Sequence, residues 1–237
     1  MTAAVRAELL RTVSGTALLA VPAFAVLVPL MMLVVAPGGR PSADSATVGV
    51  YSACAASFVT AMFLGSYSVT REFYYGSLER ALVVVRRADL LRAKAAASAL
   101  VSAVLGAATA AGWLAVTAII VTSNGSSFDP SRSMGSLALG SIVSSLLGGV
   151  LGSAVGWVTR NYYAACVVVL GVPFAVELPL LTTAPEIARF LPSGALAGIA
   201  APEHLGLLPS PLALLVALAW CALAGAAAWV VTMRSPE

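Results

Sequence analysis

Long apolar stretches alternate with short polar segments along this chain. A membrane-spanning helix needs about 20 predominantly apolar residues, and the stretches that reach this length predict six spans. They are residues 14–36, 46–69, 95–122, 134–158, 164–184 and 212–231. The first stretch is longer than the roughly 7 to 15 apolar residues of a secretory signal core, so we predict that it is an uncleaved span. The pattern therefore predicts an all-α integral membrane protein, with a single domain over residues 1–237.

Two other segments predict helices that do not cross the membrane. Residues 1–13 mix Glu8 and Arg11 with apolar residues, which is typical of a short interfacial helix. Residues 185–211 have an apolar centre too short to span, which predicts short re-entrant or interfacial helices on the outer face. The sole histidine, His204, lies in this segment, and we expect it to be an ordinary surface residue.

Charged residues are concentrated between the second and third predicted spans, at residues 70–94. Nine charged side chains lie there. With helical periodicity one face is apolar and the opposite face is charged, which predicts an amphipathic helix at the membrane surface. The apolar face comprises Tyr74, Tyr75, Leu78, Ala81, Leu82 and Val85, and the opposite face comprises Glu72, Gly76, Glu79, Arg80, Arg86 and Arg87. Val83 lies within the charged face, where an apolar side chain favours contact with another protein. The alternative is a juxtamembrane loop whose arginines only fix the topology.

Composition excludes several other classes. Hydrophobic residues make up 60% of the chain and charged residues 10%, and the mean hydropathy is +0.97, values outside the range of soluble domains. The net charge of +3 is distributed among the loops and is not gathered on one basic face, so we expect no nucleic-acid partner. The three cysteines lie inside apolar runs without ligand spacing, so we expect packing residues and no metal site.

The basic residues predict the orientation of the spans. With both termini in the cytoplasm, ten basic residues lie inside and three lie outside, which is the asymmetry that the positive-inside rule describes. The central charged stretch is then cytoplasmic.

The fourth predicted span carries a small residue at every fourth position. These residues are Gly140, Ser144, Gly148, Gly152 and Gly156. Such a stripe lets another helix approach closely in lipid, where van der Waals contact between backbones favours association. We predict that Gly148, Gly152 and Gly156 are helix-packing positions. The spacing leaves open whether the partner helix belongs to the same chain or to a second copy.

Glu177 is the one charged residue inside a predicted span. A carboxylate at mid-bilayer costs about 2.5 to 3.5 kcal/mol on insertion scales, so it is expected to face protein or a water-filled cavity. We therefore predict that Glu177 is a candidate functional residue. The alternative is a position near the outer interface, next to Pro179.

Motifs for catalysis are missing from the sequence. The only lysine, Lys94, follows an alanine, so the chain has no G-x-x-x-x-G-K-[ST] phosphate-binding loop. It also has no H-E-x-x-H motif and no G-x-S-x-G motif. We therefore expect no enzymatic activity and no catalytic residue in this chain.

The central stretch has an acidic-aromatic pair, a Gly-Ser-Leu step, an arginine and a lysine in that order. This order resembles the cytoplasmic segment after the second membrane helix in ABC-2-type permeases, the membrane subunits of ATP-driven bacterial exporters. Glu72-Phe73 matches the family's Glu-aromatic pair, and Gly76-Ser77-Leu78 matches its Gly-Thr-hydrophobic step. Arg87 matches the family's arginine, and Lys94 matches its lysine seven residues later.

A second part of the resemblance lies before the last predicted span. Phe190-Leu191-Pro192 matches the aromatic-Leu-Pro step of the family. The chain departs from the family at Val84-Val85, where the family carries a proline, so the sequence leaves open whether the central segment breaks before the third span.

The resemblance implies a permease subunit of an ABC exporter in a bacterial inner membrane. Two six-span permeases would pair, as a homodimer or with a related chain, and each would dock on an ATPase subunit that binds ATP and Mg. No cofactor is then expected in this chain, and the apolar spans suit a hydrophobic or amphipathic cargo such as a drug, lipid or peptide. The residues expected to couple to the ATPase are Glu72, Gly76, Leu78, Glu79, Leu82, Val83, Arg87 and Lys94, and those expected in the translocation path are Glu177, Phe190, Leu191 and Pro192.

Two alternatives belong to other classes. A self-contained secondary transporter or channel would use Glu177 as a proton or ion site, although such folds usually show internal repeats and this sequence shows no clear one. A membrane scaffold or sensor subunit would have no transport activity of its own.

Overall fold

The part of the chain that the structure describes is built from helices. The computed structural model describes residues 2–13, 25, 57–123, 132–200 and 206–234, and these ranges contain no β-strand. The α-helices are α1 (Thr2–Val13), α2 (Ser57–Tyr74), α3 (Leu78–Val84), α4 (Arg87–Ser123), α5 (Arg132–Thr159), α6 (Tyr162–Cys166), α7 (Leu178–Thr183), α8 (Pro185–Ala188), α9 (Pro192–Ala200) and α10 (Ser210–Arg234). A π-helix, Val167–Glu177, joins α6 to α7.

Four helical segments among the described residues are long and apolar enough to cross a membrane. They are Arg87–Val116, Gly135–Thr159, Tyr162–Thr183 and Ser210–Arg234, and they coincide with the last four spans predicted from the sequence. The first predicted span, residues 14–36, lies outside the described residues except for residue 25, and the second is described only from residue 57 onward, within α2. The chain is therefore an all-helical protein with four candidate membrane-spanning helices in its described part.

Helices α2 and α5 pack with their backbones in direct contact. Three glycines of the α5 stripe face α2, and a Cβ atom at any of these three would collide with that helix. Because successive glycines meet successively later turns of α2, the two helices run in the same direction. The facing pairs are Gly148 with Phe58, Gly152 with Met62, and Gly156 with Ser66. The small residues therefore serve packing within the chain, and the first of them, Gly140, lies against α9.

Helix α4 runs antiparallel to α2. Lys94, near the start of α4, contacts Glu72 near the end of α2. One turn further along α4, the hydroxyl of Ser98 lies 3.2 Å from that of Ser68, which is one turn earlier in α2. The start of α4 therefore lies beside the end of α2.

Helix α10 runs in the same direction as α5. The thiol of Cys221 lies 3.6 Å from the backbone oxygen of Leu147, and Arg160, just after α5, donates a 2.8 Å hydrogen bond to the backbone oxygen of Val231 near the end of α10. The ends of α2, α5 and α10 thus lie together with the start of α4, and we call this end of the bundle, with α1 and α3, the charged end.

The central stretch does not form the single amphipathic helix predicted from its periodicity. Gly76 has a φ of 63°, a left-handed conformation that glycine adopts at low cost, and it ends α2. Val85 has φ −127° and ψ 137°, an extended conformation that ends α3. The break before α4 is therefore present without the proline that the family carries. Tyr74 and Tyr75, which the periodicity placed on one apolar face with Leu78 and Ala81, are exposed and are separated from α3 by the turn at Gly76.

The segment that precedes α10 is compact. The π-helix contains Pro173, a residue with no backbone N–H to donate. After α7 and the short α8, helix α9 is buried along most of its length and packs against α5 and α10, with Gly198 close to Leu208 and Ala213. The apolar centre of residues 185–211 therefore lies inside the bundle, at the end opposite the charged end.

Candidate functional site

The charged end contains a buried ion cluster centred on Lys94. The Lys94 ammonium lies 2.7 Å from Glu8 Oε2 and 2.7 Å from Glu72 Oε1. Arg11 lies 2.9 Å from Glu8 Oε1 and 3.7 Å from Glu72 Oε1. The side chains of Lys94, Glu8 and Glu72 are 1%, 5% and 4% exposed, whereas that of Arg11 is 49% exposed. The cluster contains two carboxylates and two cations, so its formal charges balance.

The four members of the ion cluster come from three helices. Glu8 and Arg11 lie one turn apart on α1, Glu72 lies in the last turn of α2, and Lys94 lies in the second turn of α4. Backbone contacts add to the side-chain pairs. Arg71 donates a hydrogen bond to the backbone oxygen of Arg11, and the Lys94 ammonium is 3.4 Å from the backbone oxygen of Ser68 in α2. The ion cluster therefore joins three helices.

Because the cluster is buried, the balance between its positive and negative charges determines whether it stabilises the fold. Taking a charge out of water costs several kcal/mol, and close opposite charges with good hydrogen bonds offset that cost. The short Lys94 contacts provide those bonds. One acceptor is left over, because Glu72 Oε2 is buried and has no hydrogen-bond partner among the residues that the structure describes. Loss of any one partner would leave an uncompensated charge in a buried position.

Helix α3 projects from the same end of the bundle. Its inner side packs through Ala81, which is buried, and through Leu78 and Leu82, which are partly buried against Trp157 of α5. Its outer side carries Val83 and Val84, which are 86% and 84% exposed. Two adjacent valines with so little contact within the chain form an exposed apolar surface. Burying this surface against a partner would be favourable. We call Val83 and Val84 the valine pair.

The predicted coupling residues divide into two groups in the structure. Glu72 and Lys94 are buried in the ion cluster, whereas Leu78, Glu79, Leu82 and Val83 lie on α3, and Glu79 is exposed. Gly76 forms the turn before α3. Arg87 begins α4 and lines a small cavity behind α3. The two groups therefore lie side by side, one inside the bundle and the other at its surface.

Two further members of the cluster were not predicted as site residues. Glu8 and Arg11 were expected only to lie on an interfacial helix. Their signal in the sequence is an acidic and a basic residue one turn apart on a mostly apolar helix. That signal identifies a local pair, but the partner of Glu8 is 86 positions away along the chain.

The predicted translocation-path residues lie at the other end of the bundle. Glu177 is buried and accepts a 2.8 Å hydrogen bond from the backbone N–H of Ser193, in the first turn of α9. A carboxylate at this position satisfies an N–H that the helix leaves unpaired, and the helix dipole favours its negative charge. The backbone oxygen of Phe190 accepts a 2.9 Å bond from Trp220, and Leu191 and Pro192 lead into α9. Glu177 thus has a structural role as the N-terminal cap of α9.

Two further sources of information on the site are possible metal ligands and similarity to known proteins. Among the described residues no group of three or more His, Cys, Asp or Glu side chains is arranged to hold a metal ion. A comparison of the chain with protein-family models finds no match, and a comparison with curated proteins finds none either.

Proposed function

We propose that this chain is the permease subunit of an ATP-driven exporter and that a separate ATPase subunit docks on α3. The observation that carries the proposal is the valine pair, an exposed apolar surface on a short helix at the charged end. Such a surface, flanked by the exposed charges of Glu79 and Arg80, has the apolar centre and polar rim of a protein–protein interface. The order of residues in the central stretch supports the same assignment, because it resembles that of ABC-2-type permeases.

Movement of α3 would reach the spans through short connections. Three residues link α2 to α3, and two residues link α3 to α4. The buried ion cluster lies directly beyond these connections and joins the end of α2 to the start of α4. Because the cluster holds the two helices together, we propose that a displacement of α3 by the ATPase moves α2 and α4 as a pair. In this mechanism Glu72 and Lys94 transmit the movement, and α3 receives it.

The remaining features of the proposal follow from the same assignment. The charged end faces the cytoplasm of a bacterial cell, in agreement with the concentration of basic residues there. Residues 14–36 and 46–69 supply the first two of six spans, and a second permease copy completes the transporter. ATP and Mg bind to the ATPase subunit, and the cargo is hydrophobic or amphipathic. Helices α8 and α9 lie toward the outer face, where Glu177 and the 190–192 segment border the path.

The decisive experiment is co-expression with a candidate ABC-type ATPase subunit, sought among the genes that neighbour the one for this chain. A tag on this chain alone is used for purification, and ATP hydrolysis is measured in lipid. A stoichiometric complex whose ATPase activity responds to a candidate cargo would support the exporter. A chain that purifies without any ATPase would refute coupling.

Substitution of the valine pair tests the docking surface itself. Val83→Asp places a charge at the centre of the apolar surface, and we expect at least about a tenfold loss of ATPase association, since desolvating an unpaired charge costs more than 1.4 kcal/mol. Because Val83 is exposed in the isolated chain, folding is expected to be unchanged. Leu10→Asp, the same kind of change at an exposed apolar residue of α1, is the matched control and should keep the complex. Equal loss with both variants would contradict a specific role for α3.

A further inference from the structure

A small cavity lies behind α3, between the ends of α2, α5 and α10. Its volume is about 140 Å³, well above the roughly 10 to 15 Å³ that a cavity needs to hold one water molecule. Phe73 and Leu82 supply apolar wall, and two arginines, Arg87 and Arg160, line it as well. No acidic residue is among the described residues that line it. The cavity therefore combines positive charge with an apolar surface.

Two buried polar groups on its lining lack partners. Trp157 is 2% exposed and Thr232 is 4% exposed, and neither the indole N–H of Trp157 nor the hydroxyl of Thr232 has a hydrogen-bond partner among the described residues. Buried polar groups are paired in the great majority of cases, with protein, water or a ligand. An indole N–H can only donate, so the partner missing from this cavity is an acceptor.

The arginines are held in place around the cavity. The guanidinium of Arg160 donates to the backbone oxygen of Val231 at 2.8 Å and lies 5.8 Å from the centre of the Phe73 ring. Arg87 is the first residue of α4 and lines the cavity from that helix. Two guanidinium groups with an indole N–H and a hydroxyl form a set of donors suited to a phosphate, which offers several acceptor oxygens and negative charge.

The position of the cavity along the spanning helices indicates which kind of molecule supplies the phosphate. Trp157 lies in the last turn of α5 and Thr232 in the last turn of α10, and both helices are candidate spans that end two residues beyond these positions, at Thr159 and Arg234. The cavity is therefore at the boundary between the apolar part of the bundle and its charged end, where lipid head groups lie. Basic pockets between membrane helices are recognised binding sites for anionic lipid head groups.

We propose that this cavity binds the phosphate group of an anionic membrane lipid. The phosphate accepts hydrogen bonds from Trp157 and Thr232 and pairs with Arg87 and Arg160, while the acyl chains extend along the outside of the bundle. Since Leu82 of α3 lines the same cavity, the bound lipid stabilises α3 against α5. This site does not depend on docking of an ATPase, because all of its groups belong to this chain.

Lipid binding is measured on the full chain purified in detergent and freed of lipid. Phosphatidylglycerol is the anionic probe, and phosphatidylcholine, which is zwitterionic with no net charge, is the comparison. Bound lipid is counted by native mass spectrometry during a titration. The proposal requires phosphatidylglycerol to bind at least about tenfold more tightly than phosphatidylcholine, since each basic side chain near an anionic lipid contributes about a factor of five. Equal affinity for the two lipids would overturn it.

Variants locate the binding within the chain. Arg87→Gln removes one charge from the cavity, and Thr232→Val removes only a hydroxyl from a side chain of the same shape, so that the second variant remains informative if the first folds poorly. For Arg87→Gln we expect about a fivefold weaker affinity for phosphatidylglycerol. For Thr232→Val we expect it to be about threefold weaker. Arg80→Gln is the matched control, because Arg80 is an exposed arginine at the same end and does not line the cavity. An equal loss with Arg80→Gln would assign binding to general surface charge and refute the site.

Inorganic phosphate distinguishes a lipid from a soluble ligand. If excess inorganic phosphate leaves phosphatidylglycerol bound, the lipid is the ligand, because its acyl chains add to the phosphate contacts. If inorganic phosphate binds at the cavity in wild type but not in Arg87→Gln, and displaces the lipid completely, the site is one for a soluble phosphate and the lipid assignment is wrong.

Discussion

Replacement of Lys94 with methionine removes the central cation of the ion cluster. Methionine keeps a long unbranched side chain, so the change is mainly one of charge. The variant retains Glu8 and Glu72, whose side chains are only 5% and 4% exposed. Arg11 becomes their one remaining cation in the cluster.

The expected cost follows from the geometry of the ion cluster. Removing one partner of a buried ion pair typically costs about 3 to 5 kcal/mol. Here both carboxylates lose a contact of 2.7 Å, which favours a large effect, but Arg11 remains 2.9 Å from Glu8 and offsets part of it. We therefore expect Lys94→Met to lower the free energy of unfolding by about 3 kcal/mol.

The assay is reversible unfolding in mixed micelles with increasing mole fraction of SDS, followed by circular dichroism. Arg92→Met is the matched control, because Arg92 lies on the same helix and is largely exposed. It pairs with Asp89 at 3.9 Å, with the two side chains 59% and 49% exposed, and lies 5.4 Å from the centre of the Trp229 ring. An exposed pair of this kind contributes about 1 kcal/mol or less. A triple variant with Glu8→Gln, Glu72→Gln and Lys94→Met removes all three buried charges and is expected to recover most of the lost stability, since neutral replacement of a buried ion group is often tolerated.

The stabilities of these variants show whether the ion cluster stabilises the helix contacts and whether charge or packing is the cause. A cost for Lys94→Met no greater than that for Arg92→Met would refute the claim that the ion cluster stabilises the contact between α1, α2 and α4. A triple variant as unstable as Lys94→Met would show that the loss arises from packing and not from uncompensated charge.

Two further predictions concern the contact between α2 and α5 and the hydrogen bond between Glu177 and α9. Gly152→Ala should lower stability by about 1 to 3 kcal/mol, because its Cβ would collide with the backbone of Met62. Gly112→Ala, at an open helical position, should be neutral or raise stability by up to about 1 kcal/mol. Thermal unfolding of the two variants in detergent measures the difference, and equal effects would contradict backbone contact between α2 and α5. Glu177→Leu should cost about 1 to 3 kcal/mol because the N–H of Ser193 loses its acceptor, and Glu177→Gln, which keeps an acceptor oxygen, should cost clearly less in the same assay. If Glu177→Gln folds normally but changes export of the cargo, Glu177 has a role in transport beyond capping α9; export at the wild-type rate would leave it with the structural role alone.

Hydrophobic runs predicted the helical class and the last four spans because these features depend on local composition. The turn at Gly76 was not predicted, because a helical wheel assumes a continuous helix and a single glycine within an otherwise periodic segment does not reveal its backbone angles. The break at Val85 could not be predicted either, since valine is compatible with both helical and extended backbone. The family's proline was the expected signal for that break, and this chain breaks without it.

Tertiary contacts explain what the sequence left open at the candidate site. The spacing of the glycines on α5 predicted close packing, but the partner helix became evident only from the position of α2. Lys94 was identified as the sole lysine and as a match to a family position, whereas its pairing with Glu8 depends on where α1 lies. Glu177 was predicted to need protein contact, and its partner turned out to be a backbone N–H of α9, which no side-chain pattern indicates.

The order of the ion-cluster residues along the chain has a consequence for biosynthesis. Ribosomes make Glu8 first and Glu72 next, and the cation that lies between them, Lys94, is made last. Until Lys94 is made, Arg11 is the only cluster cation available to the two carboxylates, so burying both of them would leave a charge uncompensated. The part of the contact between α1 and α2 that depends on the buried cluster therefore forms only once the start of α4 has been made.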